Sequence, residues 1–342
     1  MPLSKIQLSS STGRRNLLDN GDMQIFQRAT SATNPGGGYD TVDRWRSSQN
    51  SSGLGNYNAE KSTDTPVGFG SSYKLTKSGA TTQSSGISAY IEQYIEGQNL
   101  QHLEYGNANA KKLTASFHVK SSVTGTYGCF LGDGASNGKK NVQTFTISSA
   151  NTWEKKVLTF NGDTATGLDN DNTAQFVFGI VLGAGSDYQT STTNSWLSAA
   201  SPSALSTSSQ TQWPQTDGAT FFMTGCQLEV GETATEFEHL PFSEQLNRCQ
   251  RHYYQLVSAS ARRFGIDGLY SNGTGAGLNI MFTHPVPMRA GPTVTPGSSM
   301  TGNTVSFSND ETHIYMYTAG HSSGRVGVET TSGTTTVSAE MG

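Results

Sequence analysis

Cys226-Gln-Leu-Glu-Val-Gly-Glu-Thr-Ala-Thr-Glu-Phe-Glu-His-Leu-Pro-Phe-Ser-Glu-Gln-Leu-Asn-Arg-Cys-Gln-Arg-His-Tyr-Tyr254 decides the fold. Cys226, Leu228 and Val230 alternate with polar residues, as a strand with one buried face requires. Gly231-Glu232 supplies a turn. Pro241 and Phe242 stop the extended run, Ser243 is placed as an N-cap, and Glu244 falls in the first turn. Leu246, Cys249 and Tyr253 then recur at helical spacing, which predicts one short helix with an apolar stripe near Ser243 to Leu256. A strand thus closes one domain and a helix leads away from it.

Working outward, the same alternation appears four times. Ile87, Ala89, Ile91, Gln93 and Ile95 share one face of a run. Leu113, Ala115, Phe117 and Val119 form a second run, Phe176, Phe178, Ile180 and Leu182 a third, and Phe222, Thr224, Cys226 and Leu228 a fourth. Turn clusters such as Gly132-Asp133-Gly134 and Asn161-Gly162-Asp163 separate them. The fold class is therefore all-β: a jelly-roll-like β-sandwich, whose connections protect its edges, followed by a short helix and a second small β-rich domain. The predicted division is a flexible arm over 1–15, the sandwich over 16–242, a linking helix over 243–257 and a C-terminal tip over 258–342. In the tip, Ile314 and Met316 alternate with Tyr315 and Tyr317. A Ser/Thr/Gln-rich excursion runs from Gly185 to Ala219 inside the sandwich, and loops of that length are uncommon in compact domains.

Composition narrows the function. Of 342 residues, 14% are charged and 33% hydrophobic, and 22 basic against 26 acidic residues give a net charge of −4 without runs. A nucleic-acid binder carries a basic stripe, so nucleic acid is not an expected partner. No window reaches the roughly 18 consecutive apolar residues of a membrane span, and the polar start shows no signal-peptide core; membrane insertion is not expected, and folding in the cytoplasm of the producing cell is. Cys129, Cys226 and Cys249 form no Cys-x-x-Cys pair and read as small buried hydrophobes.

Motifs with catalytic precedent lose to plainer readings. Gly134-Ala-Ser-Asn-Gly138 matches a nucleophile elbow in letters but lacks the following helix, so it reads as a hairpin turn. Asp163, Asp169, Asn170, Asp171 and Asn172 make an oxygen-rich patch. The EF-hand spacing fails there, with Ala174 and Ile180 at the required glycine and acid positions. A solvated turn is preferred to a structural calcium, and no cofactor is expected. The seven histidines show no metal-ligand spacing, and His118 has outward parity. Glu92, Glu96 and Glu104 are available carboxylates for glycoside cleavage, without a pattern that pairs them. The chain is expected not to be an enzyme. Sugar binding needs rings beside Asn, Gln, Asp and Ser; Tyr188, Trp196, Trp213, Tyr270, Tyr315 and Tyr317 sit in such surroundings and are the glycan-binding candidates, although most such rings serve packing.

The opening stretch, taken as Gln227-Leu228-Glu229, Gly231, Ala234-Thr235-Glu236-Phe237-Glu238, Pro241-Phe242 and Cys249-Gln250-Arg251-His252-Tyr253-Tyr254, resembles the end of the carbohydrate-binding-module-like sandwich of phage tail-fibre and virion appendage proteins. Leu240 stands where a basic residue is common. Asn16 to Met23, Phe26-Gln27-Arg28, Tyr39 to Trp45, Ile91-Glu92-Gln93, and Phe282 with Pro285 to Thr293 extend the likeness over most of the chain. The resemblance implies a viral structural protein: a tail-fibre or head/tail appendage subunit of a bacteriophage virion, held to other virion proteins by the N-terminal arm. It also implies a homotrimer and host attachment through a surface glycan. The alternative keeps the fold and makes the chain a capsid or tail decoration or adaptor protein binding only virion proteins; a glycan depolymerase ranks third.

Overall fold

The computed structural model describes residues 14–133, 138–197, 204–257, 262–271, 276–296, 299–301, 305–321, 324–332 and 334–341. Residues 1–13 of the expected arm, 134–137 of the Gly-x-Ser-x-Gly string and the turn residues 272–275 lie outside them. The chain forms two units. One comprises Met1–Gln24, Ser31–Asp40 and Trp45–Leu240; the other comprises Ile25–Thr30, Thr41–Arg44 and Pro241–Gly342. The two short excursions near the start of the chain therefore belong with the C-terminal unit.

Among the described residues the first unit contains twelve strands: β1 (Ser31–Thr33), β2 (Arg46–Asn50), β3 (Tyr57–Ser62), β4 (Ser72–Lys77), β5 (Ser88–Glu96), β6 (Leu113–Ser121), β7 (Gly125–Asp133), β8 (Lys140–Ile147), β9 (Glu154–Phe160), β10 (Ala174–Ala184), β11 (Trp196–Leu197) and β12 (Thr220–Val230). They form two antiparallel sheets. Sheet I has the order β1-β3-β4-β12-β6-β9 and sheet II the order β11-β8-β7-β10-β5-β2. The chain changes sheet repeatedly between neighbours in sequence, giving the expected jelly-roll-like sandwich. Rings from both sheets meet in the core. Phe117 of β6 lies 5.1 Å from Phe145 of β8 and 6.2 Å from Phe178 of β10, edge to face, and Trp45 lies 6.1 Å from Phe178. Each such buried ring contributes roughly 1.5–3 kcal/mol.

Ala89, Ile91, Gln93 and Ile95, Leu113 to Val119 at alternate positions, and Phe176 to Leu182 at alternate positions are all buried as their parity requires. The fourth run departs from the expectation. Phe221 and Met223 are inside with no exposure, whereas Phe222 is on the other face. Between Thr224 and Gln227 the pairing with β6 slips by one residue, and Gly225 takes a φ of +61° there. This bulge reverses the parity of β12, so Cys226 and Leu228 face inward only beyond it.

Gln227 and Glu229 are buried too, which simple alternation does not explain. Gln227 Oε1 accepts the Glu238 N–H at 2.8 Å, and Glu229 accepts the Thr235 N–H at 2.8 Å and hydroxyl at 2.7 Å. Glu238 in turn accepts the Asn16 N–H at 2.8 Å, and the Asn16 side chain bridges the backbone of Cys226 and Leu228 at 3.0 Å each. Gln93 makes a two-way amide latch with the backbone of Asp19, at 2.7 and 2.9 Å. Gly21 is required because a Cβ there would lie 2.1 Å from the Cys226 carbonyl oxygen. The repeated Gln, Glu and Asn letters are thus buried hydrogen-bond partners that tie strand ends to the N-terminal segment.

The second unit opens with α1 (Phe242–Gln250), shorter than expected. Pro241, not Ser243, is its N-cap, and no side chain caps it. Tyr253 does not continue the helical stripe. It starts β13 (Tyr253–Val257), because that segment pairs with the strand Thr335–Ser338, and tertiary pairing outweighs local helical spacing. The remaining strands are β14 (Arg262–Ser271), β15 (Ala276–Thr283), β16 (Thr293–Thr295), β17 (Ser299–Thr301), β18 (Val305–Asn309), β19 (His313–His321), β20 (Gly324–Ser332) and β21 (Thr335–Ser338). Among the described residues they make three three-stranded sheets, β13-β21-β16, β14-β20-β17 and β15-β19-β18. Tyr254, Met288, Ile314, Val337 and Ala339 form a core cluster. A buried ion network lies beside it: Glu340 pairs with Arg28 at 2.9 Å and Arg44 at 2.8 Å, and Arg28 also reaches Asp43 at 3.5 Å. The Arg28 guanidinium lies 3.7 Å over the Tyr253 ring. Burial raises the Asp43 carboxyl to about 6, against the opposing pull of Arg28 and Gln27.

Candidate functional site

Sheet II has a second apolar cluster on the face turned away from the sandwich core. It contains Phe130, Val142, Val177, Val181, Ala184, Ala204 and Leu205, with Tyr90, Tyr94, Tyr188 and Leu197 packed against it. Strand register arranges these residues in transverse rows. One row runs Ser48, Tyr90, Val181, Gly128 and Thr144. The next runs Arg46, Glu92, Gly179, Phe130 and Val142, and the third Tyr94, Val177, Gly132, Lys140 and Leu197. Neighbouring rows lie two residues apart along each strand, so all three share one face.

Glycines shape this surface. A Cβ on Gly179 would lie 2.3 Å from Phe130 Cε1, so the Phe130 ring lies across the strand where Gly179 leaves room. A Cβ on Gly128 would lie 2.6 Å from Ser206 Oγ, which marks where the long excursion covers the first row. That cover is fastened: Leu205 N–H donates to the Tyr188 carbonyl at 2.9 Å, and Gln210 accepts the Gly128 N–H at 2.8 Å and the Ser206 hydroxyl at 2.6 Å. The excursion is therefore an ordered part of the face where it is described.

Beyond the cover lies a polar and aromatic group centred on Glu92. Only 3% of Glu92 is exposed, although it sits on the non-core face. Its carboxylate accepts the Ser48 hydroxyl at 2.5 Å, and Arg46 Nε lies 3.4 Å from the same oxygen. Arg46 stands 5.7 Å from the Tyr94 ring and 6.0 Å from Tyr39. Tyr90 meets Phe130 edge to face at 5.7 Å, and Lys140 Nζ lies 5.4 Å from the Phe130 ring. Burial pushes the Glu92 carboxyl above its usual range, opposed by Ser48, Arg46 and Lys140. Burial and the Glu92 charge push the Tyr94 phenol up to about 12, and burial draws the Lys140 ammonium below its usual range. A buried charge costs several kcal/mol unless paired, on the order of what removing a partner costs. The folding of a sheet does not require one here.

The candidates read from sequence are distributed unevenly. Tyr188 belongs to this face, packs on its cluster, and its hydroxyl is bonded by the Asn50 amide. Trp196 is half-buried, donates its Nε1–H to the Asn161 carbonyl at 2.7 Å and packs 5.7 Å from Tyr105, pinning the excursion. Trp213 has no exposed surface and offers no ring to a ligand. Tyr315 is 41% exposed beside His313, in the other unit. The side chains of Tyr270 and Tyr317 lie outside the described residues. Tyr90, Tyr94, Phe130, Arg46 and Lys140 were not singled out in sequence. The available signal was the period-2 series Tyr90, Glu92, Tyr94 interleaved with the core series Ala89, Ile91, Gln93.

Other chemistry is less well furnished. Asp163 is paired with Lys139 at 3.1 Å and accepts the Ala165 N–H, and Asp171 accepts from Thr173 in its own turn. Among the described residues no group of three or more His, Cys, Asp or Glu side chains is arranged for a metal. Glu92 and Glu96 lie four residues apart on β5, which sets their backbones about 13 Å apart along the strand, and Glu96 accepts the Gln98 amide at 2.6 Å. Glu104 pairs with Lys111 at 3.1 Å. His118 is half-buried against Phe69 rather than free on the surface, and burial lowers its pKa. No helix among the described residues is long and apolar enough to cross a membrane.

No family model matches the chain, and no curated protein matches it. Among solved structures it is similar to the enzymatically active domain of tailspike protein 4 of bacteriophage CBA120, with 13% identity and a TM-score of 0.34. That match covers 63% of this chain and 21% of the tailspike chain. It is also similar to the carbohydrate-binding module TmCBM61 in complex with β-1,4-galactotriose, with 10% identity, 64% of this chain, 100% of that one and a TM-score of 0.33. A family 11 carbohydrate-binding module from Clostridium thermocellum, in complex with a mixed-linked tetrasaccharide, matches with 13% identity, 57% of this chain, 91% of that one and a TM-score of 0.29.

Proposed function

We propose that the protein is a non-enzymatic phage virion subunit, a tail-fibre or head/tail appendage component that attaches the particle to a host-surface glycan. The outer face of sheet II is its sugar contact. The observation that carries this reading is Glu92, a buried carboxylate on a non-core face, set between Tyr90, Tyr94, Arg46 and Lys140. Tyrosine rings supply apolar surface for a pyranose ring, and the surrounding donors and acceptors suit its hydroxyls. The virion setting, including assembly in the host cytoplasm and a trimeric state, rests on the sequence resemblance. Weak sugar contacts repeated over several copies add up, since each later contact is effectively intramolecular.

The test is binding of the fluorescently labelled intact protein to susceptible and resistant host cells and to an immobilised glycan panel. Selective cell binding, with Tyr94→Ala weakening glycan binding by roughly tenfold, about 1.4 kcal/mol, is expected. Intact, folded protein that binds neither cells nor glycans would overturn the reading and leave assembly as its role.

A further inference from the structure

The outer face of sheet II is unevenly accessible. Over β7, β8 and β10 it is closed: Phe130, Val142, Val177 and Val181 lie on the side away from the sandwich core, yet none is more than 3% exposed. Ala204 and Leu205 of the long excursion are buried in the same cluster, and Tyr188 packs against it. What stays open is narrower. Tyr90 and Tyr94 on β5 and Arg46 on β2 are half-buried, which leaves a strip two strands wide, about 10 Å.

The strip has borders. On the β10 side the excursion stands beside it, held by the Leu205 N–H on the Tyr188 carbonyl at 2.9 Å and by the Gln210 amide on the Val181 carbonyl at 3.2 Å. At one end Tyr188 reaches across both strands. Its hydroxyl is bonded by the amide of Asn50, the last residue of β2, which pairs with Ser88 at the start of β5. Along the other edge of β2, Gly38 and Ser47 exchange backbone hydrogen bonds at 2.7 and 3.0 Å, and the Gln49 amide donates to the Gly36 carbonyl at 2.8 Å. Those bonds lay the segment 36–39 beside β2, with the Tyr39 ring 6.0 Å from the Arg46 guanidinium. Chain thus lines three sides, and the fourth lies beyond Tyr94.

We propose that this strip takes the terminal residue of a glycan chain, with Tyr188 as the stop, and not an internal segment. The inference rests on the glycan-binding reading above and names its ligand class. An internal segment must enter a site on one side and leave on another, whereas a chain end needs one way in. A glycan fixed to a surface is joined through its reducing end, so the end it presents is the non-reducing one. Tyr90 and Tyr94 offer ring surface to that last pyranose. Arg46, anchored on Glu92 at 3.4 Å, supplies guanidinium donors to the hydroxyl that a terminal residue carries where an internal one carries the next linkage.

The experiment uses the intact protein and the surface polysaccharide of susceptible cells, released by mild acid and separated into fragments from a single repeating unit to the full chain. Linear glucan, galactan and mannan oligomers of graded length stand beside it. Titration calorimetry counts protomers bound per chain, and linkage analysis counts non-reducing ends. The expected result is one protomer per end in short and long fragments alike, with an affinity per chain that does not change with length. Internal binding would instead add protomers and raise the affinity as repeats are added. Tyr188→Ala takes away the stop, so long linear fragments should then bind more protomers than they have ends. Asn50→Ala, an exposed position, loosens the same ring and should give the same change in smaller measure; a cooperative melt shows that each variant folds. A count that grows with the length of a linear fragment in the wild type, or that stays at the number of ends in both folded variants, overturns the chain-end inference and leaves glycan binding standing. Binding to no fragment overturns it as well; if the glycan panel and host cells are negative too, the glycan-binding reading falls with it.

Discussion

On the outer face of sheet I, Phe222 lies between two lysines, with Lys120 Nζ 4.2 Å and Lys74 Nζ 5.6 Å from its ring. On the outer face of sheet II, Phe130 has Lys140 Nζ at 5.4 Å. The residue types match, yet their surroundings differ. Lys74 is bonded to Glu60 at 2.6 Å, and Lys120 to Asp64, which also accepts the Trp153 Nε1–H at 3.0 Å. Every cation in that row has its acceptor inside the protein. Lys140 lacks one, and the Glu92 carboxyl in the neighbouring row is buried with its pKa raised, whereas that of Asp64 is lowered by its hydrogen bonds. A surface whose polar groups satisfy each other gains little from a ligand. One that leaves a donor without an internal acceptor gains a hydrogen bond on binding.

The largest effect that separates the two faces is expected from glycine substitution. Gly179→Ala sets a Cβ 2.3 Å from the Phe130 ring. The ring must move, at roughly 1–3 kcal/mol of stability, and glycan binding should fall with it. Gly225→Ala is the counterpart on sheet I. There a Cβ would lie 2.5 Å from Phe69 Cζ and 2.9 Å from His118 Nδ1, in a residue with positive φ. Its cost should be similar, roughly 1–3 kcal/mol, with glycan affinity per folded molecule unchanged. Urea denaturation beside a binding isotherm checks both. Loss of binding in both variants would break the comparison.

These glycines also show where sequence reading stops. The alternation of Leu113 to Val119 and Phe176 to Leu182 was legible because one face is core, and core parity is a two-residue rule. The slip at Gly225 was not legible, since one glycine in a strand of eleven does not announce which residue is extra. The short helix was over-extended to Leu256 because the partner of Tyr253 and Tyr254 lies some 80 residues away in β21. The candidate site was hidden for a related reason. In the sequence Glu92 is one carboxylate among several and nothing marks Tyr94, and only cross-strand register brings Arg46, Phe130 and Lys140 beside them. The rings chosen for their polar neighbours in sequence included Trp213, which is wholly buried.

An intermediate effect should appear in the pH dependence of stability. A carboxyl with a raised folded pKa is destabilising when ionised, so that penalty is relieved as pH falls through the folded pKa toward the usual range. Wild type should therefore gain stability over Glu92→Gln as pH is lowered through the raised pKa toward the usual carboxylate range. Asp64 has the opposite sign. Its pKa is lowered, so its contribution is present above the usual carboxylate range and is lost as pH falls through the lowered value. Asp64→Asn should flatten that acid limb without changing the gain that comes from Glu92. Denaturation midpoints measured across pH for the two variants distinguish them, and parallel profiles would mean that the two carboxylates are equivalent after all.

The smallest effect is expected at the Glu60–Lys74 pair, and its smallness is the point. The two side chains are 41% and 26% exposed at 2.6 Å, so water screens them, and such pairs contribute about 0.2–1 kcal/mol. Glu60→Gln removes the charge and leaves the Lys74 stem packed along Phe222, where an aliphatic chain holds apolar surface without its head group. Stability should fall by no more than about 1 kcal/mol, and less in high salt. Glycan affinity should not move, because Lys74 and Phe222 lie on sheet I and the proposed contact face is on sheet II. A gain of glycan binding in Glu60→Gln would show that an unpaired lysine beside an aromatic ring suffices, and that the surroundings of Glu92 are not what sets the two faces apart.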